Sequence, residues 1–214
     1  LGTLSEARRL GFWRVRQDFE NAEALARQLL PVIRAAAAVK RLHGRVFGLF
    51  GGRSLGIDTG TFDPMQWRAM FGIDVEHIDQ LEIIRQAERI PDEQAQPMVA
   101  WLSHNTARVD LGQGGLTAEK LAFQSKCYLA TRQIIAEKGL DFVAIQCMPD
   151  LTNHFVPQCI SAALLPGPYD ASGPKEPVAM ACEADGDGAL TMEMLKLVSG
   201  GKPVLFGDLS YINE

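Results

Sequence analysis

The chain's 214 residues are 47% hydrophobic and 22% charged, with a formal net charge of -5, a composition that can bury its own core without metal or disulfide staples. The sequence holds no Lys/Arg block, which excludes nucleic acid and an anionic membrane as main partners. No apolar run approaches the ~20 residues that span a bilayer, and no signal-peptide pattern stands at the start, which points to the cytoplasm.

Ala-rich helical periodicity runs from Asn21 to about Leu42, with Pro31 expected to kink it and Gly44 to end it. A strand, "RVFGLF" from Arg45 to Phe50, leads into the glycine-rich connection "GGRSLGIDTGTFDP". Asp63 then Pro64 read as an N-cap and a first-turn proline for the helix "PMQWRAMF", which Gly72 closes. The strand "IDVEHI" follows, and Asp79 is placed to cap the helix "QLEIIRQAERI". From Pro91 to Thr106 the pattern is helical but interrupted by Pro97. Thr117 is placed to cap a long helix closed by Gly139.

Beyond Gly139 the rhythm is regular: strand "DFVAIQC", a helix near "HFVPQCISAALL", strand "PVAMACE", helix "ALTMEMLKLV" and strand "PVLFGD". Apolar strands without alternation, separated by helices, predict an α/β fold: an open, mostly parallel, Rossmann-like sheet of about five strands with helices on both faces. Residues 1–43 are expected to be a linker helix or the remnant of a preceding domain, and residues 44–214 one α/β domain. A chain that opens on Leu1 and stops just after a predicted strand is expected to be a piece of a longer polypeptide.

Ligands of such sheets bind outside the carboxyl ends of the strands. Three polar residues close predicted strands: Gln146, Glu183 and Asp208. Glu183 and Asp208 are 208 − 183 = 25 residues apart, enough for one strand-helix-strand crossover. On neighbouring strands their ends would lie about 5 Å apart, or about 10 Å with one strand between, and both separations let the carboxylates converge on one cation. Paired carboxylates repel, a divalent metal relieves the repulsion, and oxygen ligands favour Mg²⁺ or Mn²⁺. The competing reading is that both acids simply face solvent at strand ends.

Other chemistry-bearing residues have structural readings. Asp185 and Asp187 precede a helix, where capping and the helix dipole favour acids. A calcium loop counted from Asp185 fails, because Lys196 holds the twelfth position. The glycines Gly51, Gly52 and Gly56 form no G-x-G-x-x-G, so no nucleotide cofactor is expected. Cys127, Cys147, Cys159 and Cys182 contain no Cys-x-x-Cys pair and are expected as buried free thiols. The four histidines lack H-x-x-x-H spacing; His154 stands out only by following the strand that ends in Gln146. Trp13, Trp67 and Trp101 sit in helical patterns and are expected to pack.

Three stretches together resemble the L-fucose isomerase family. "CEADGDGALTMEMLKLVSGGKPVLFGD" resembles a segment from a strand-ending Glu through an acidic turn and a Met-rich helix to a strand ending in Asp. "FVAIQCMPDLTNHF" is similar to the family's strand ending in Gln with an Asp/Asn-His-Phe downstream, and "FGGRSLGIDTGTFDPMQWRAMFGIDVEHIDQLEI" to its Gly/Ser-rich loop, helix and strand. The resemblance covers about Arg45 to Glu214 and implies the middle domain of a three-domain subunit. It implies Glu183 and Asp208 as ligands of a catalytic divalent cation, usually Mn²⁺, and as acid/base partners, with Gln146 binding the sugar. A third ligand, a histidine, is implied in a last domain outside this chain. The chain departs from the family in its acidic turn, in one residue inserted before Asp208, and in "GDLSYINE", which lacks the usual Arg and Trp.

The resemblance thus implies an aldose–ketose isomerase, homo-oligomeric at full length, acting on a small-molecule sugar through an enediolate. Such chemistry requires a carboxylate to move a proton between carbons and a metal to stabilise the charge, and no redox cofactor. The alternative from another class is a sugar-binding or regulatory α/β module without chemistry.

Overall fold

The computed structural model describes residues 21–112 and 115–207. By internal contacts the chain divides into residues 1–35 and 36–214. Of the first unit, the described residues are the opening turns of helix α1 (Ala22–Leu42), which continues through Pro31.

The second unit carries the sheet. Strand β1 (Val46–Phe50) is followed by α2 (Pro64–Phe71), β2 (Asp74–Ile78), α3 (Leu81–Glu88), α4 (Asp92–Asn105) and α5 (Ala118–Lys138). Then come β3 (Phe142–Ile145), α6 (Asp150–His154), α7 (Cys159–Leu164), a small hairpin of β4 (Tyr169–Asp170) and β5 (Gly173–Pro174), β6 (Met180–Cys182) and α8 (Gly186–Val198). Four strands pair in the order β2-β1-β3-β6, all parallel. The open α/β sheet expected from the sequence is therefore present, with four strands among the described residues rather than about five. Residues 203–207, expected as the last strand, pair with nothing in the sheet, and Asp208 lies outside the described residues.

Strand alternation divides the core into two. Phe47, Leu49, Phe142, Ala144, Ala179 and Ala181 face α1, α2 and α8, whereas Phe50, Val143, Ile145 and Met180 face α3, α4, α5 and α7. On the first face Phe47 is stacked 4.9 Å from Phe142 and tilted 5.2 Å from Trp67, which stacks 4.4 Å from Phe62. Such pairs contribute about 0.5–1.5 kcal/mol each beyond the area they bury, and they anchor the loop bearing Phe62 over the carboxyl end of the sheet.

The expected helix signals act locally. Asp63 Oδ1 accepts from Met65 N–H at 2.8 Å ahead of Pro64, Thr117 Oγ1 accepts from Lys120 N–H at 3.2 Å, and Asp185 Oδ1 accepts from Gly188 N–H at 2.7 Å. Gly72 and Gly139 close α2 and α5. Asp79 lies one residue earlier than a simple cap and accepts from Leu81 N–H at 2.9 Å. Pro97, expected to interrupt a helix, lies inside continuous α4. The lost N–H bond is outweighed there by burial of Ala95, Met98 and Leu102.

Away from the carboxyl edge, two buried acids hold elements together. Asp170 accepts from Tyr128 Oη–H at 2.6 Å, from Arg132 and from Ser172 N–H, which ties the hairpin to α5. Glu193 of α8 is fully buried between Lys196 and Arg45, and Arg45 also binds Asp141 at the start of β3.

Candidate functional site

The strand order reverses between β1 and β3: the chain leaves β1 outward to β2, then crosses back to β3. In open α/β sheets the crevice at such a reversal is where ligands bind. Gly51 and Gly52 leave β1 there, Gln146 leaves β3, and Glu183 leaves β6 on the neighbouring strand. The pairing of Ile145 with Cys182 sets Gln146 and Glu183 side by side.

Glu183 is held by groups from two other strand ends. Its Oε2 lies 2.6 Å from Ser54 Oγ and accepts from Met148 N–H at 2.9 Å. Ser54, fully buried, also lies 2.8 Å from the Met148 carbonyl, so its single proton is shared between that carbonyl and the carboxylate. Among the described residues Oε1 has one hydrogen-bond partner, the Cys182 thiol at 3.5 Å. No Lys, Arg or His among the described residues forms an ion pair with Glu183.

The backbone that presents this carboxylate is unusual. Glu183 and Ala184 have φ of +55° and +56°, a left-handed conformation that costs a non-glycine residue about 1–2 kcal/mol. Burial of Ala184 and the bond from its N–H to Ile145 O at 3.1 Å keep the turn in place. Residues held this way by surrounding structure cluster at functional sites.

Gln146 sits at the strand end as expected, and its amide bridges loops. Its Oε1 accepts from Gly52 N–H at 2.8 Å and its Nε2 donates to Met148 O at 3.2 Å. Each end retains capacity for one further hydrogen bond. Gly51 lies against it with φ +86°; a Cβ there would fall 2.7 Å from Gln146 Oε1 and 2.0 Å from Gln80 Oε1. Beyond it, Arg53 binds the carbonyls of Gly56 and Ile57 and the Asp58 carboxylate, closing the glycine-rich loop on itself.

The four cysteines are free thiols as expected, but not all of them are buried. Cys127 and Cys147 are buried, but Cys182 is half-buried and Cys159 exposed. Burial pushes the Cys127 thiol up to about 11. Cys147 and Cys182 lie with their sulfurs 3.7 Å apart beside Glu183. Their shared hydrogen bond, with burial behind it, holds Cys147 well above the usual thiol range; the same bond lowers Cys182 against the opposing effect of burial, so Cys182 ionises first. His154 is exposed at the end of α6, Trp67 is buried and Trp101 packs against the core; Trp13 lies outside the described residues.

The structure thus brings Gln146 and Glu183 together and leaves Asp208 outside the described residues. Ser54, Met148, Cys147 and Cys182 went unrecognised in the sequence. Cys147 and Cys182 each adjoin a predicted strand-end residue, a positional signal that could have marked them.

No family model matches the chain. Similarity to curated proteins extends over most of it. It is 28% identical over 193 residues, 89% of its length, to a sulfoquinovose isomerase of Alkalicoccus urumqiensis. It is 24% identical over 196 residues, 90% of its length, to the sulfoquinovose isomerases of Priestia aryabhattai and Priestia megaterium. The chain spans about 40% of the length of each of these relatives. Among the described residues no helix is long and apolar enough to cross a membrane.

Proposed function

We propose that this chain supplies part of the active site of a sugar isomerase, with residues 44–214 as its α/β middle domain and residues 1–43 as a linker helix or remnant of a preceding domain. Similarity over nine-tenths of the chain to proteins named sulfoquinovose isomerase supports an isomerase acting on a sugar; the L-fucose isomerase type is the finer proposal and rests on the sequence resemblance alone. The observation that carries the site is Glu183: a half-buried carboxylate on the strand beside the strand-order reversal, one oxygen fixed by Ser54 and Met148 N–H, the other without a cationic partner among the described residues.

In this reading the reaction moves a carbonyl between adjacent sugar carbons through an enediolate. The Glu183 carboxylate takes the proton from one carbon and returns it to the next, while the bonds from Ser54 and Met148 N–H keep it from rotating away. Gln146 uses its remaining amide hydrogen and lone pair to orient the sugar hydroxyls.

A carboxylate oxygen without a cationic partner fits a hard divalent cation, Mn²⁺ or Mg²⁺, and Glu183 and Asp208 are its proposed ligands in this chain, with a histidine ligand elsewhere in the whole protein. When bound, that cation supplies positive charge to stabilise the enediolate. The whole protein is proposed to be cytoplasmic and homo-oligomeric.

The test is Glu183→Gln in the whole protein. Turnover of sugar should fall by a factor of roughly 10² to 10⁴ with unchanged circular dichroism, because the amide keeps the shape but cannot accept the proton. Near-normal turnover would remove Glu183 from the chemistry.

A further inference from the structure

Three metal-ligating side chains converge where the isomerase reading uses only one. Cys147 Sγ, Cys182 Sγ and a Glu183 carboxylate oxygen all lie within 4.8 Å of one another. The separations match a particular coordination. A tetrahedral zinc ion with metal–sulfur bonds of about 2.3 Å sets two sulfurs about 3.8 Å apart, and with a carboxylate oxygen at about 2.0–2.2 Å gives a sulfur–oxygen edge of about 3.5–3.7 Å. Here the sulfurs are 3.7 Å apart, and Cys182 Sγ lies 3.5 Å from Glu183 Oε1.

The surroundings also suit a metal. Glu183 Oε2 is bound by Ser54 and Met148 N–H, so the oxygen turned to the thiols, Oε1, meets only the Cys182 thiol as a hydrogen-bond partner among the described residues. Cys147 Sγ accepts from Gln158 N–H at 3.4 Å, a bond that stabilises a buried thiolate and holds the ligand in place. Cys182 and Glu183 are only half-buried, which leaves an entry path and room for water as a fourth ligand. Cys127 and Cys159 belong to no such group among the described residues.

We propose that Cys147, Cys182 and Glu183 form a binding site for one thiophilic divalent cation, Zn²⁺ being the fit, in S₂O coordination completed by water. Binding replaces the two thiol protons, so each Zn²⁺ bound releases up to two protons to solvent, and no electron is transferred. The thiolate donors distinguish this site from the hard-cation site of the isomerase reading; the two share Glu183 and are alternative occupancies of it, and a thiolate-to-metal charge-transfer band reads this site without reference to sugar turnover.

Cd²⁺ titration of the reduced protein tests it through the ultraviolet thiolate-to-metal charge-transfer band. The band should saturate at one equivalent, persist in Cys127→Ser and Cys159→Ser, and disappear in the Cys147→Ala/Cys182→Ala double variant. Glu183→Gln should keep the band but weaken binding by about 10–100-fold, as loss of a metal-site partner does. Should the cysteine variants fold poorly, alkylation of the unaltered protein gives the same reading: one equivalent of Zn²⁺ should protect Cys182 while Cys159 still reacts. A missing band, a band that survives the double variant, or a Cys182 alkylated equally fast with and without Zn²⁺ would overturn the site.

Discussion

Ser54 Oγ, in the loop after β1, lies 2.6 Å from Glu183 Oε2, at the end of β6. The two residues are 129 positions apart in sequence and meet because β3 alone separates their strands. Ser54 is therefore proposed to position the acid/base carboxylate. Ser54→Ala should lower sugar turnover by about 10–100-fold in the whole protein, the usual cost of losing such a partner. Thermal unfolding should show about 1–3 kcal/mol of lost stability from the groups left short of a donor. Unchanged turnover with the expected stability loss would reduce Ser54 to a structural role.

Gly51→Ala should cost about 1–3 kcal/mol, because its φ of +86° is strained for alanine and the new methyl meets Gln80 and Gln146. Gly52→Ala, with nothing within 4 Å of its Cβ, should stay within about 0.5 kcal/mol. Urea denaturation of both variants reads the difference, and equal effects would mean the loop does not rest on Gln146.

Lys196→Ala leaves the fully buried Glu193 carboxylate with Arg45 alone, at 3.6 Å. Breaking one partner of a buried ion pair costs about 3–5 kcal/mol. Lys138→Ala, which removes a half-exposed pair with Glu76, should cost about 1 kcal/mol or less. The urea midpoints of the two variants should differ accordingly.

Stability should depend on pH through Asp170. Burial alone would raise its pKa, but the hydrogen bonds from Tyr128 and Ser172 N–H and the charges of Arg132 and Lys175 outweigh it and hold it below the usual range. A folded-state pKa below the unfolded one gives stability that is present above the unfolded value of about 3.9 and lost as pH falls through the folded one. Lys175 acts at the other end: burial lowers it to about 8 despite Asp170, so its protonation opposes folding at neutral pH and stability rises from about pH 8 toward the unfolded value of about 10.4. Chemical denaturation across pH should show the acid loss, and Asp170→Asn should flatten it.

Much of the architecture was legible in the sequence because its signals are local. Asp63-Pro64, Thr117 and Asp185 marked helix starts through bonds to N–H groups two or three residues away. The uninterrupted apolar runs around Phe47, Val143 and Met180 marked strands covered on both faces. Where a local signal competed with packing it misled: Pro97 does not end α4, and 203–207, apolar enough for a strand, pair with nothing in the sheet.

The sequence by itself determined the class of fold and two strand-end residues, Gln146 and Glu183, since periodicity, caps and glycines act over a few residues. Only the tertiary structure decided strand order, and with it the partners of those two residues that lie far away in the chain. Glu183, next to Cys182 in the chain, meets Ser54, Met148 and Cys147 because β1, β3 and β6 are neighbours in register. Parallel pairing requires long crossovers, so those contacts join positions far apart in the chain, and no spacing within the sequence encodes them.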